Sequence, residues 1–216
     1  MMKRIKTLKL LALFLAIAFG VPTWSFSADP EKKGKDVEVS AESLATATFG
    51  AGCFWCVEEV FEQTKGVKTV VSGFMGGTPE TADYKFISRG GTDHAEVVQI
   101  TYDPETLTYE KLLDVLFDSH DPTQLNRQGP DRGRHYRSVI FYHDDLQKLA
   151  AEKKIKDLTD KKSFWGRDIV TEVTEALPFY PATEDHQDFA KRNPGHPYLE
   201  NVLYPKLKKL EMEVPK

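Results

Sequence analysis

ATATFGAGCFWCVEEVFEQTKGVKTVVSGFMGG, residues 45–77, carries a strand, a helix and a second strand in one unbroken run. Ala45 to Ala51 is a β-branched and small-residue stretch closing on glycines, the pattern of a buried strand leaving a sheet. Phe54, Val57, Val60 and Phe61 then recur at spacings of three and four, with Glu58, Glu59 and Glu62 between them. That spacing predicts a short amphipathic helix running to Thr64 and stopped by Gly66. VKTVVSGF, from Val67 to Phe74, reads as the second strand, closed by Gly76 and Gly77.

Further along the chain the alternation continues. A polar loop carries Tyr84, AEVVQITY (Ala95 to Tyr102) is a third strand, and Leu112, Leu113, Leu116 and Phe117 mark a helix from Thr108 to Asp118. A polar loop from His120 to His135 precedes a strand from Arg137 to Tyr142, a helix from Asp144 to Asp157 and a strand near Ile169 to Val173. The order β-α-β-β-α-β, then α-β, is the split βαβ pattern and predicts an α+β sandwich of ferredoxin-like type. From Leu177 to the end the chain reads as an irregular C-terminal segment that wraps the surface.

With 216 residues, 40% of them hydrophobic and 29% charged, the chain is long enough for a full core and short enough for one domain. Aromatics at 11%, with 14 Gly and 12 Pro and no repeat, exclude collagen, rod-like and wholly disordered chains. A net charge of -4 argues against nucleic acid as a partner, because phosphate neutralisation needs a basic face.

The N-terminus has a basic start (Lys3, Arg4, Lys6, Lys9), an apolar run from Leu10 to Val21, and then Pro22. As a helix that run spans about 18 Å, against roughly 30 Å for a bilayer core, so it reads as a secretory signal rather than a membrane span. Residues 1–27 are expected as the signal, 28–44 as a charged linker and 45–216 as a single catalytic domain. The implied location is outside the cytoplasm, in a bacterial periplasm, with no stable membrane insertion after cleavage.

Cys53 and Cys56 are the only cysteines, spaced C-x-x-C where the first strand meets the first helix. A zinc site lacks partners, since no second C-x-x-C or paired His spacing is present, and haem attachment would need His where Val57 stands. A structural disulfide closing so short a loop contributes little as a staple, so redox use outweighs it. A thiol at a helix N-terminus faces unpaired N–H groups and the positive end of the helix dipole, which makes Cys53 the expected nucleophile. Cys56, one turn on, is the expected resolving thiol. Phe54 and Trp55 beside them suggest a pocket for an apolar substrate group.

Taken together, GCFWC (52–56), GFMGG (73–77), DHAEVV (93–98), HDPTQ (120–124), RQGPDRGRHYRS (127–138) and PFYPATEDHQDF (178–189) resemble the A class of peptide methionine sulfoxide reductases, from Thr46 to Tyr204. The resemblance implies reduction of the S epimer of methionine sulfoxide, free or in proteins. By it, Glu96 matches the family's proton donor, Tyr84 and Tyr136 its hydroxyl donors, and Asp131 an acid lining the same pocket, while Phe54 and Trp55 would take the substrate methyl. Strand parity agrees for Glu96, which shares a face with Val98, Ile100 and Tyr102. His186 is read as positioning or packing. Phe74 stands where the family commonly has Tyr, and nothing after Cys56 is Cys. The implied cycle is therefore short: a Cys53 sulfenic acid, a Cys53–Cys56 disulfide, and reduction by an external thioredoxin-like dithiol, with no metal or cofactor. A periplasmic thiol–disulfide oxidoreductase is the competing reading and would not need Glu96. A non-enzymatic binding module would function without a free thiol.

Overall fold

The computed structural model describes residues 44–216. The expected signal segment and all but the last residue of the expected linker lie outside the described residues. The split βαβ pattern is present: β1 (Ala45–Ala51), α1 (Phe54–Glu62), β2 (Val67–Met75), β3 (Ala95–Tyr102), α3 (Tyr109–Ser119) and β6 (Ser138–Tyr142) form the basic unit. Between them lie a four-residue helix α2 (Tyr84–Ile87) and a small ribbon of β4 (Arg127–Gln128) and β5 (Asp131–Arg132). The chain continues through α4 (Asp145–Asp160), β7 (Glu172–Glu175), β8 (Tyr180–Pro181), α5 (Phe189–Arg192) and α6 (Tyr204–Lys209).

The main sheet has the order β7-β6-β1-β3-β2-β8. Its central pairs β6-β1, β1-β3 and β3-β2 are antiparallel, and β7 runs parallel to β6 at one edge. Val98, Ile100 and Tyr102 of β3 pack with Phe49, Phe61, Leu112, Leu113 and Leu116 into the principal core. Val97 and Ala95 face the other way, against Val139 and Phe141. The two-residue period thus places Glu96 on the face covered by α1, as parity predicts.

Three details depart from the sequence reading. Tyr84 stands at the start of α2, capped by Asp83, whose side chain accepts from the Lys85 N–H at 2.9 Å, rather than in an open loop. The edge strand is Glu172–Glu175, a few residues later than expected, because its register is fixed by pairing with Val139 to Tyr142. The C-terminal segment is not a surface wrap. Tyr180 and Pro181 pair with β2, and Leu199, Leu203 and Leu207 are fully buried against Val60. Gln187 clips the edge: its side chain accepts from the Ser72 N–H at 2.9 Å and donates to the carbonyls of Ser72 and Ala182 at 2.9 Å each.

Candidate active site

β1 hands over to α1 through Gly52, at φ +98°, where a side chain would collide with Gln128. Only glycine makes that bend freely, and it leaves Cys53 as the residue before the helix, with its carbonyl accepting from the Cys56 and Val57 N–H groups at 3.1 and 3.3 Å. The Cys53 side chain caps nothing and is free for chemistry. Both cysteines are free thiols and buried, Cys53 at 8% and Cys56 at 3% exposure.

Glu96 arrives from β3. Its Oε2 accepts the Phe54 backbone N–H at 3.1 Å, while Oε1, fully buried, has no partner. Burial, opposed only partly by that hydrogen bond, pushes its carboxyl up to about 8. A carboxyl protonated at neutral pH and sharing the start of α1 with a cysteine is a proton donor in waiting. Tyr84 from α2 and Tyr136, from the turn before β6, complete this side. Burial raises both hydroxyls, Tyr84 to about 12, and the charges of Glu96 and Cys53 raise them further. The structure therefore brings Cys53, Glu96, Tyr84 and Tyr136 together from four separate elements.

Phe54 and Trp55 divide. Phe54, 1% exposed, is packed on Phe74 at 5.6 Å and beneath Tyr84 at 6.3 Å between ring centroids, so it forms the floor of the site. Trp55 is only partly buried and lies flat on Phe189 at 3.7 Å, forming a wall. Its Nε1–H donates to His186 Nδ1 at 3.2 Å, which fixes His186 as a neutral imidazole; burial lowers the pKa of that ring. His186 stacks on Tyr84 at 4.2 Å, so it positions both rings. A cavity of about 340 Å³ adjoins this wall, lined by Phe74, Tyr84, Pro181 and His186 among others, and a second of about 750 Å³ lies between Phe117, Leu158 and Trp165; neither is lined by a cysteine.

Asp131, on the β4–β5 ribbon, makes no hydrogen bond to Glu96, although its charge helps to raise Glu96, Tyr84 and Tyr136. Its Oδ2 accepts the Tyr198 hydroxyl at 2.5 Å, and that hydroxyl in turn receives the Cys56 thiol at 3.8 Å. The sequence reading missed Tyr198. A readable signal was available, because Leu199, Leu203 and Leu207 repeat every fourth residue and mark a buried helical stripe beginning beside it.

The electrostatics of the thiols correct one expectation. The helix N-terminus alone was expected to favour the Cys53 thiolate, yet burial pushes that thiol well up, helped by its hydrogen bond to Cys56 and by the Glu96 charge. Cys56 is held low, first by the hydrogen bond from Cys53 and then, against burial, by Lys206 and Tyr198. Protonating Glu96 removes its repulsion on Cys53. No cluster of three or more His, Cys, Asp or Glu able to hold a metal occurs among the described residues.

Two adjacent thiols at a helix start, a carboxyl kept protonated and an aromatic cleft define a thiol-based reductase site. The chain belongs to the peptide methionine sulfoxide reductase family, A class, which residues 45–216 match. Its activity is the reduction of methionine sulfoxide. It is 50% identical over 163 residues to the peptide methionine sulfoxide reductase MsrA of Natronomonas pharaonis, covering 76% of this chain and 91% of that one. To MsrA 2 of Synechocystis sp. it is 45% identical over 204 residues, covering 92% and 95%. Among solved structures it is similar to reduced Mxr1 of Saccharomyces cerevisiae, with a TM-score of 0.68 and 32% identity over 72% of this chain and 89% of that one. Methionine sulfoxide reductase A of Corynebacterium diphtheriae gives 0.67 and 32%, over 72% and 77%. Mxr1 in complex with Trx2 shares the fold at 24% identity and a TM-score of 0.50, over 72% and 91%.

Proposed function

We propose that the chain reduces the S epimer of methionine sulfoxide, free and in proteins, through a Cys53 sulfenic acid and a Cys53–Cys56 disulfide. The observation that carries this reading is Glu96, buried, raised to about 8 and bonded to the Phe54 N–H next to Cys53. Sulfoxide oxygen is a poor leaving group, so attack on sulfur needs a proton delivered at the oxygen. The Cys53 sulfur attacks the substrate sulfur, Glu96 protonates the oxygen, and Tyr84 and Tyr136 donate hydrogen bonds to it as charge develops. The S–O bond breaks as the protonated oxygen leaves as water, and a water then attacks the Cys53 sulfur, which breaks the new S–S bond, releases methionine and leaves Cys53 as sulfenic acid. Cys56 then displaces that oxygen as water, forming the S–S bond. The substrate methyl rests on the floor and wall made by Phe54 and Trp55.

A thioredoxin-like dithiol is the proposed electron donor, because a two-electron disulfide needs a second dithiol to reopen it. The yeast relative is known in complex with Trx2. Export to a periplasm is proposed from the basic start and the short apolar run of residues 10–21.

The test is dithiothreitol-driven turnover of N-acetylmethionine sulfoxide, with the two sulfur epimers supplied separately. The S epimer is expected to yield N-acetylmethionine and the R epimer to remain. Conversion of the R epimer alone, or loss of neither, would overturn the assignment.

A further inference from the structure

The sulfenic acid cycle proposed above requires Cys56 to lose a proton before it can attack, and Glu96, whose Oε2 accepts the Phe54 N–H and whose Oε1 has no partner, makes no hydrogen bond to it. A bonded acceptor lies on the other side of Cys56. There the Cys56 thiol reaches the Tyr198 hydroxyl at 3.8 Å, and the same hydroxyl reaches Asp131 Oδ2 at 2.5 Å. These two contacts form a continuous chain, S–H to O–H to carboxylate, in which each donor already faces its acceptor.

The surroundings fix this geometry. Tyr198 packs edge-on against Trp55, with ring centroids 6.0 Å apart, and opens directly into a π-helical turn, Leu199–Leu203. Single π turns inside helices are rare and occur often at functional sites. Here the widened turn precedes α6, so the buried leucines are seated in the core while Tyr198 stays over Cys56. Asp131 is partly buried, and burial raises its carboxyl from the ordinary value while the Tyr198 hydrogen bond and Lys206 pull it back.

We propose that Tyr198 and Asp131 form a proton relay that activates Cys56 as the resolving nucleophile. The Cys56 proton passes to the Tyr198 oxygen as the Tyr198 proton passes to Asp131, leaving a Cys56 thiolate that accepts from Tyr198. No tyrosinate forms, because the phenolic group of Tyr198 is shifted strongly upward by burial and by the neighbouring thiols. The thiolate attacks the Cys53 sulfur, the S–S bond forms and the S–O bond breaks. Hydroxide leaves with one proton, supplied by Asp131 or solvent, as water. No electron donor is consumed in this step. Tyr198 touches a reacting atom, whereas Asp131 acts through it. The charged and titratable groups facing Cys56 are Cys53 and Glu96 on one side, and Asp131, Tyr198 and Lys206 on the other.

The relay is tested by following methionine release and disulfide formation separately after mixing reduced full chain with N-acetylmethionine S-sulfoxide. Dimedone traps any sulfenic acid. In Tyr198→Phe the ring and its packing stay, but the hydroxyl is gone. Disulfide formation is expected to slow at least tenfold more than methionine release, with dimedone-labelled Cys53 accumulating and the pH profile of the disulfide step moving upward. Asp131→Asn, which keeps a hydrogen-bond acceptor for Tyr198 but removes the base, is expected to slow the same step. A Tyr198→Phe chain whose disulfide forms at the parent rate with the parent pH profile overturns the relay. So does one in which both steps slow equally, since Tyr198 would then serve substrate binding. If the parent itself releases no methionine, the sulfoxide reading fails before the relay is reached.

Discussion

Cys53 and Cys56 lie within one helical turn, yet their surroundings differ in kind. Cys53 faces Glu96, Tyr84 and Tyr136, a side with a buried carboxyl and no nearby cation. Cys56 faces Tyr198, Asp131 and Lys206, a side where the carboxylate has both a hydroxyl donor and a positive charge to hold it. Burial raises both carboxyls, but what opposes it differs. At Glu96 one backbone N–H opposes it and the carboxyl stays protonated to about 8, whereas at Asp131 a hydroxyl donor and a lysine oppose it, which suits that carboxyl to the base role proposed for it. The comparison explains how one helix start can host a step that consumes a proton and a step that releases one.

The most direct way to break the comparison is Cys53→Ser. The first step has no other nucleophile, so methionine release is expected to fall by at least about a thousandfold, measured in a single turnover. Residual release near the parent rate would move the chemistry to Cys56.

Glu96→Gln comes next. Removing one positioned acid is expected to slow methionine release by about 10²–10⁴-fold, without a matching effect on disulfide formation. In the parent, release should decline as pH rises through about 8, where Glu96 ionises. Stability moves in the same sense with pH, over a wider window. Folded Glu96 keeps its proton to about 8, whereas unfolded Glu96 loses it near 4.5, so the fold binds the extra proton in between and stability falls as pH rises through that window. Glu96→Gln should therefore flatten the decline, melting higher than the parent at pH 8 while being nearly inactive. A variant whose melting temperature falls as steeply as the parent's between about pH 5 and pH 8 would show that Glu96 does not hold its extra proton in the fold.

Cys56→Ser sharpens the comparison from the other side. The first turnover is expected to proceed within a few-fold of the parent and stop at one methionine per chain when the only reductant is a thioredoxin-like dithiol. Continued turnover with that reductant would mean the sulfenic acid is reduced directly and the resolving role belongs elsewhere.

How much of this was readable divides along the same line. The Cys53 side was legible because its parts sit on strongly periodic elements: Phe54, Val57, Val60 and Phe61 place α1, and the two-residue period of β3 turns Glu96 toward it. Its electrostatics were not legible, since burial of Cys53 outweighs the helix dipole and depends on what covers the site. On the Cys56 side only the Leu199, Leu203 and Leu207 spacing was legible, because Pro194, Gly195 and Pro197 break the pattern ahead of Tyr198 and β8 is only two residues long. Short pairings held by side chains leave no period to read. Gln187, which makes three of the bonds that hold this segment, looks like any polar loop residue in sequence.

That dependence gives the smallest effect and the one most specific to the C-terminal segment. Gln187→Ala removes the acceptor for the Ser72 N–H and the donor for the Ser72 and Ala182 carbonyls, leaving a largely buried edge of β2 without its clip. The Ser72 carbonyl keeps the Ala182 N–H, so it is not orphaned, and the loss of stability is expected near 1–3 kcal/mol rather than unfolding the chain. The effect on catalysis should be narrow. His186 precedes Gln187 and holds Trp55, so a loosened segment lets the substrate wall move while Cys53, Glu96 and their elements stay in place. KM for a methionine sulfoxide substrate is expected to rise about threefold with kcat little changed. A fall in kcat with unchanged KM would mean that the segment supports the sulfurs and not the wall, and would erase the boundary drawn between the two sides of the helix.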